Sequence, residues 1–378
     1  MAHLIIGVGQ AGCGVLNALA THNRKWKLTL SDFFAVNSDH VDFQRARKIP
    51  KEMWIGISEK EKDAVTIEDA KESLKKTGAG FADLVAGGYG NNAEAASDDA
   101  KIIAPKLVRT MMDTIGDRKK SINLALVIFG LGGGTGAGFG PYIVKELLRH
   151  HEYVIPLVIY PSDAEGKQRH KNAHTSLENL YSSVNTSILF DNNLLTRRKT
   201  SLGLADFKGP NWILSECIET MLYIPPALSK DDPNTPVLDY KDFCRILGLG
   251  EREEYIGSFG ISLYVYRLFE ALLRRPAKDL TAISRNHVIN SMRRRMMIID
   301  APPERIGYDI ATKERFFKKI RRDAIHNKLR DEIRRFGGGA EDIDIWEGFV
   351  PHKLPSIRYA TLQSYLFDDF KDEKGIEI

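Results

Sequence analysis

The stretch Ile122-Asn-Leu-Ala-Leu-Val-Ile-Phe129, followed by Gly130-Leu-Gly-Gly-Gly-Thr-Gly-Ala-Gly138 and the run to His151, decides the fold. The first eight residues are an unbroken apolar run and predict a strand buried on both faces of a parallel sheet. The glycines predict a turn whose backbone comes close to a ligand. Pro141 then sits near the start of a helical pattern with Ile143, Val144, Leu147 and Leu148 on one face. Strand, glycine turn and helix together make a phosphate site, because the first N–H groups of the helix point at the anion. Thr135 adds a hydroxyl donor. No Gly-Lys-Ser/Thr follows, so this is not a Walker loop.

A second strand-turn-helix unit opens the chain. Leu4-Ile-Ile-Gly-Val-Gly9 is a short apolar strand, and Gly7-Val-Gly-Gln-Ala-Gly12 leads into a helical segment through Val15, Leu16 and Leu19. Alone, this matches the dinucleotide fingerprint and suggests an NAD- or FAD-dependent oxidoreductase. The glycine run near residue 132 has no place in that reading.

Composition narrows the classes. With 378 residues, 43% hydrophobic and 28% charged, the chain is an ordinary globular protein long enough for two domains. A net charge of +4 points to no nucleic-acid partner, and no apolar stretch reaches the length of a membrane span. Cys13, Cys217 and Cys244 are far apart and lack metal spacing, which reads as free thiols in a reducing compartment. The N-terminus shows no charged leader, so the expected location is cytoplasmic.

Further along, Asp32 to Val36 is a strand ending in Asn37-Ser38-Asp39. Residues 40 to 77 read as charged and irregular, with Trp54 and Ile55 pinning a strand or loop. Gly87-Gly-Tyr-Gly-Asn-Asn92 is a glycine- and asparagine-rich turn before a helix reaching about Met112. Val154–Tyr160 and Ser187–Phe190 are strands, and Asn172 to Val184 a helix with Ala173, Leu177 and Leu180 inward. Phe207 to about Tyr223 is a longer helical pattern, with Pro210 required to lie in its first turn. From Tyr255 onward an α+β pattern takes over, and Lys313 to Arg335 is a basic helical run that reads as a solvated face.

Taken in order, these motifs resemble the tubulin/FtsZ superfamily of polymerising GTPases, with archaeal tubulin-like or CetZ-like proteins as the subgroup. Gly132-Gly-Gly-Thr-Gly-Ala-Gly138 is similar to its glycine signature, and Gly9-Gln10-Ala11-Gly12 to the first nucleotide loop of tubulin. The resemblance implies a parallel-sheet α/β GTPase domain over residues 1–203, a central long helix and linker over 204–236, a smaller α+β C-terminal domain over 237–366 and a flexible tail over 367–378. It implies GTP/GDP and Mg2+ as cofactors, self-assembly into a head-to-tail filament, no nucleic acid and no direct membrane insertion. The charged tail is a candidate point for regulatory partners.

The same resemblance assigns site residues. Gly9, Gln10, Ala11, Gly12, Gly132, Gly133, Gly134, Thr135 and Gly136 would cradle phosphates. Asn37 and Asp39 would lie near the phosphates and magnesium; a polar cap on the strand end is the alternative for Asp39. Gly90, Asn91 and Asn92 would form the γ-phosphate-sensing loop, the alternative being an exposed turn. Glu165 would meet the ribose and Arg169 the phosphates. Asn192 would read the guanine edge, and Phe207 and Asn211 would stack on it and read it from the central helix. Asp239 and Asp242 match both aspartates of the Asn-x-Asp-x-x-Asp catalytic loop, while Val237 replaces its leading Asn. They would orient water in the neighbouring subunit's site, or cap the helix through Leu247. A nucleotide-binding adaptor that neither polymerises nor hydrolyses remains a third class.

Overall fold

The computed structural model describes residues 2–26, 33–85, 87–193, 210–223, 240–265, 278–279, 292–301, 344–351, 356–366, 368 and 371. The chain divides into two compact units, Met1–Ile218 and Glu219–Glu377.

In the first unit, strands β1 (Ala2–Val8), β2 (Phe33–Asn37), β3 (Trp54–Ser58), β4 (Asp63–Thr66), β5 (Ile122–Gly130), β6 (Val154–Tyr160) and β7 (Thr186–Asp191) lie in the order β7-β6-β5-β1-β2-β3-β4. All neighbours are parallel except the β3–β4 hairpin. Leu124 to Phe129 of β5 and every residue of β2 are buried, as a strand covered on both faces requires. Helices α1 (Gly9–Trp26), α2 (Ile67–Thr77), α3 (Phe81–Leu84), α4 (Ala93–Ile115), α5 (Thr135–Leu147) and α6 (Lys167–Tyr181) complete the layers; the boundary between the units falls within α7 (Pro210–Tyr223), after Ile218. The parallel strands β1, β2, β5, β6 and β7 all release their loops at one sheet edge, the place where α/β sheets bind ligands.

Three expectations need correction. The glycine segment becomes helix at Thr135, so Pro141 lies well inside α5 and not near its start. The glycines let α5 approach its neighbours: a Cβ on Gly138 would lie 2.3 Å from Ala96, and one on Gly140 2.4 Å from the Phe129 ring. Pro141 cannot donate to the Ala137 carbonyl, and the Ser176 hydroxyl donates to it instead at 2.8 Å. Second, residues 40 to 77 are regular. They hold a 3-10 turn at Asp42–Ala46, the β3–β4 hairpin and α2. Trp54 stacks on Phe43 with centroids 5.1 Å apart, and Thr66 with Asp69 forms a capping box for α2. The charged run hid the hairpin because it is the hairpin's turn, where Lys62 adopts φ 50°. Third, α6 begins at Lys167, five residues before the apolar periodicity starts, because Gly166 at φ 86° breaks the chain there.

Pro210 is the first residue of α7, the position its fixed φ suits. Phe207 lies outside the described residues, as do Asp239, the tail after Lys371 and the basic run 313–335. The second unit contains α8 (Tyr240–Ile246) and strands β8 (Tyr255–Val265), β9 (Lys278–Asp279), β10 (Met292–Ala301), β11 (Asp344–Pro351) and β12 (Ser356–Leu366). The order is β11-β10-β12-β8, with β9 against β8. Strand β12 is antiparallel to both β10 and β8, and β10 and β11 are parallel. Cys13, Cys217 and Cys244 are all buried, and none is in a disulfide among the described residues. No helix among the described residues is long and apolar enough to cross a membrane.

Candidate functional site

The loops leaving β1, β2, β5, β6 and β7 surround one cavity of about 490 Å3. Its floor is main chain. At the end of β1, Gly9 turns into α1 at φ 67°, and a Cβ there would lie 2.8 Å from the Gly136 nitrogen. A side chain at this position would therefore push apart the two glycine loops. Gln10 and Ala11 line the cavity, whereas Gly9 and Gly12 are not among the residues lining it. Gly12 is a packing residue: its Cβ would fall 2.2 Å from the Ile128 carbonyl oxygen on β5.

Gly132, Gly133, Gly134, Thr135 and Gly136 all line the cavity. Helix α5 begins at Thr135, so Thr135 and Gly136, whose N–H groups have no partner within a helix's first turn, line the cavity, and a helix start favours an anion. Gly88, Tyr89, Gly90 and Asn91 form an adjoining wall. The Gly134 N–H donates to the Gly90 carbonyl at 2.9 Å, so the two loops are fastened main chain to main chain. Asn92 is not part of that wall. Its side chain caps α4, accepting from the Ala95 N–H at 3.1 Å.

Asn37 is likewise not among the lining residues and braces its own loop. It is 1% exposed, and its Oδ1 accepts from the N–H groups of Ser38 and Asp39 at 2.9 and 3.4 Å. Asp39 faces the cavity and also caps its own turn, accepting from the Val41 N–H at 2.9 Å. Its two alternative readings thus coexist geometrically. Ser38, Asp42, Tyr89 and Tyr160 also line the cavity, although sequence reasoning named none of them as site residues. The Ser38 hydroxyl pairs with Thr135 at 2.6 Å and ties the β2 loop to the start of α5. Burial raises the carboxyl pKa of Asp42 and pushes the Tyr160 phenol up to about 12. Position within the quoted motifs was the available signal for Ser38 and Tyr89; nothing local marked the other two.

Polar side chains form the rim. Glu165 Oε1 accepts from the Ser162 N–H and from Asn192 Nδ2, each at 2.8 Å, and Oε2 pairs with Arg169. Burial works to raise this carboxyl's pKa, but the bonds from Ser162, Asn192 and Arg169 outweigh it and hold the carboxyl below its ordinary value. Glu165, Arg169 and Asn192 all line the cavity. Asn211, exposed at the start of α7, does not. Its Nδ2 lies 2.5 Å from where a Cβ on Gly14 would stand, one turn along α1 from Gln10. Asp242, third in α8, is half-buried in the second unit and is not among the described residues lining the cavity. Among the described residues, no group of three or more His, Cys, Asp or Glu is placed to hold a metal.

Residues 3–198, more than half of the chain, match the Tubulin/FtsZ family, GTPase domain. The chain belongs to the Tubulin/FtsZ family. Within the family it is similar to tubulin-like protein CetZ3 of Haloferax volcanii, at 31% identity over 204 residues. That alignment covers 52% of this chain and 45% of the relative, so the chain spans under half the length of CetZ3. Among solved structures, the GDP-bound CetZ1 monomer of H. volcanii matches with a TM-score of 0.63 at 20% identity, over 97% of this chain and 94% of that one. The GTPγS-bound CetZ2 protofilament matches with a TM-score of 0.62 at 18% identity, over 99% and 97%. At such identities the likeness is one of fold, and it bears out the expected tubulin/FtsZ-type architecture. The oxidoreductase reading of Gly7 to Gly12 is not favoured: that turn belongs to a Tubulin/FtsZ GTPase domain and shares its cavity with the second glycine loop.

Proposed function

We propose that this protein binds GTP in the cavity, assembles head to tail and hydrolyses GTP at the contact between subunits. The observation that carries the reading is the convergence of Gln10–Ala11, Gly88–Asn91 and Gly132–Gly136 on one cavity, with a polar rim opposite. Main-chain N–H groups at a helix start suit a polyphosphate. In this reading Gly132–Gly136 carry the inner phosphates, and Gly90 and Asn91 meet the terminal one. Glu165 receives the ribose hydroxyls, Arg169 neutralises phosphate and Asn192 meets the base, with Phe207 and Asn211 approaching from the central helix. The Asn192–Glu165 hydrogen bond would join base and ribose recognition.

Magnesium fits the donor set. Asp39, Ser38 and Thr135 offer hard oxygen ligands at the cavity; no group of three or more His, Cys, Asp or Glu stands there among the described residues, and phosphate oxygens and water would complete the shell. When bound, the ion supplies charge neutralisation for the phosphates.

Phosphoryl transfer asks the protein chiefly for positioning and charge stabilisation. Asp239 and Asp242 are the acids proposed to orient the attacking water in a neighbouring subunit. The protofilament form of the similarly folded CetZ2 supports self-association. The three buried cysteines, none in a disulfide among the described residues, support a reducing, cytoplasmic setting, and the charged tail offers a place for regulatory partners. Mass spectrometry of the nucleotide released from purified protein is expected to find GTP or GDP; NAD or FAD would overturn the reading. Asp242→Ala is expected to keep GTP affinity and lose turnover, and unchanged turnover would remove Asp242 from the catalytic role.

A further inference from the structure

We infer that Asn172, on α6, is a positioning residue that holds the Gly88–Asn91 loop against the glycine loop and so sets the preference for a nucleoside triphosphate over a diphosphate. This rests on the guanine-nucleotide reading above. Asn172 is only 4% exposed. Its Nδ2 donates to the Asn91 carbonyl at 2.8 Å and to the Gly132 carbonyl at 3.0 Å. Its Oδ1 accepts from Gln168 Nε2 at 3.0 Å, which fixes which way the amide faces. A primary amide carries two hydrogens on one nitrogen, and here each serves a different loop. Leucine is close in size but supplies neither donor.

The geometry makes the two loops one unit. Gly134 N–H to Gly90 carbonyl is their main-chain fastening, and Asn172 is the side-chain fastening, made from a third element. Both loops face the same cavity. A terminal phosphate needs N–H groups from both at once, so its binding depends on their separation. A diphosphate resting on the glycine loop and the start of α5 depends on it far less. The clamp also sits three residues beyond Arg169 on the same helix, so it fixes the loops relative to that guanidinium.

The test measures calorimetric affinity of the full chain for GTPγS and for GDP, in the wild type, Asn172→Leu and Asn172→Ser. Losing a buried hydrogen bond to a carbonyl costs on the order of a tenfold change in an equilibrium. For Asn172→Leu, GTPγS affinity is expected to fall about tenfold or more while GDP affinity stays within about threefold. Asn172→Ser keeps one donor and is expected to fall between; it decides the matter if the leucine variant does not fold. A purely structural role would weaken both nucleotides equally, and equal weakening or no change in folded variants overturns the inference alone. A wild type that binds neither nucleotide overturns the guanine-nucleotide reading and the inference with it.

Discussion

The floor and the rim of the cavity are built on different principles. The floor is backbone fastened to backbone: Gly9 presses on Gly136, and Gly134 bonds Gly90. It presents N–H groups already aimed, with little side-chain freedom left to lose. The rim is side chains bonded to one another. Glu165 is engaged by Ser162, Asn192 and Arg169, so under the proposed function an incoming ribose or phosphate would exchange for bonds that already exist. Under the proposed function the rigid floor would grip phosphates and sort them by number, and the exchangeable rim would select sugar and base.

The contrast can be broken most forcefully at the floor. A methyl group at Gly134 would stand 2.5 Å from the Gly90 carbonyl oxygen and 2.9 Å from the Tyr89 Cβ. Crowding of this kind costs about 1–3 kcal/mol, so Gly134→Ala is expected to weaken GTP binding by about tenfold to a hundredfold in calorimetry. Wild-type affinity would mean that the two loops move apart freely. At the rim, Glu165→Gln keeps the shape and removes the charge. The Glu165–Arg169 pair is partly exposed, so folding stability is expected to drop by less than about 1 kcal/mol, while GTP affinity falls about tenfold. A large loss of stability with unchanged affinity would make Glu165 a structural residue.

A smaller effect is expected behind the wall. The Tyr89 hydroxyl donates to Asp99 at 2.7 Å, and Asp99 also holds Lys62 of the β3–β4 turn. Burial and the Asp99 carboxylate both raise the phenol pKa, so it stays a protonated donor. Tyr89→Phe is expected to lower stability by about 1 kcal/mol and to shift the melting temperature by a few degrees. The smallest effect is acid sensitivity. Glu165 is depressed below its ordinary 4.5, so its contribution is present above that pH and is lost as pH falls through the lower folded value. Thermal melts below pH 4.5 are expected to show a shallower decline for Glu165→Gln than for the wild type; superposed profiles would rule that contribution out.

The floor was readable because glycine demand is local. Gly132–Gly136 and Gly88–Asn92 announce a backbone that must come close or turn unusually, and short apolar runs bound β5 and β6 well. What each glycine does was less readable. Gly12 is spaced like a ligand-binding residue yet serves helix–strand packing, because the partner carbonyl, on Ile128, comes from a distant strand. Asn37 and Asn92 turned out to cap and brace for the same reason: an amide's partners do not show in its neighbours. Pro141 suggested a helix start, and only the Ser176 hydroxyl, from another helix, explains its interior place. Asn172 stands in an ordinary helical pattern, and only folding brings Asn91 and Gly132 to it.

The central claim is that one subunit holds the nucleotide and the next completes its cleavage. GTP turnover per subunit, measured across protein concentrations spanning assembly, tests it most directly. The expected result is near-silence below a threshold concentration and a steep rise above it, with scattering increasing in step. Turnover per subunit that stays constant at every concentration, in a protein that remains monomeric, would contradict it.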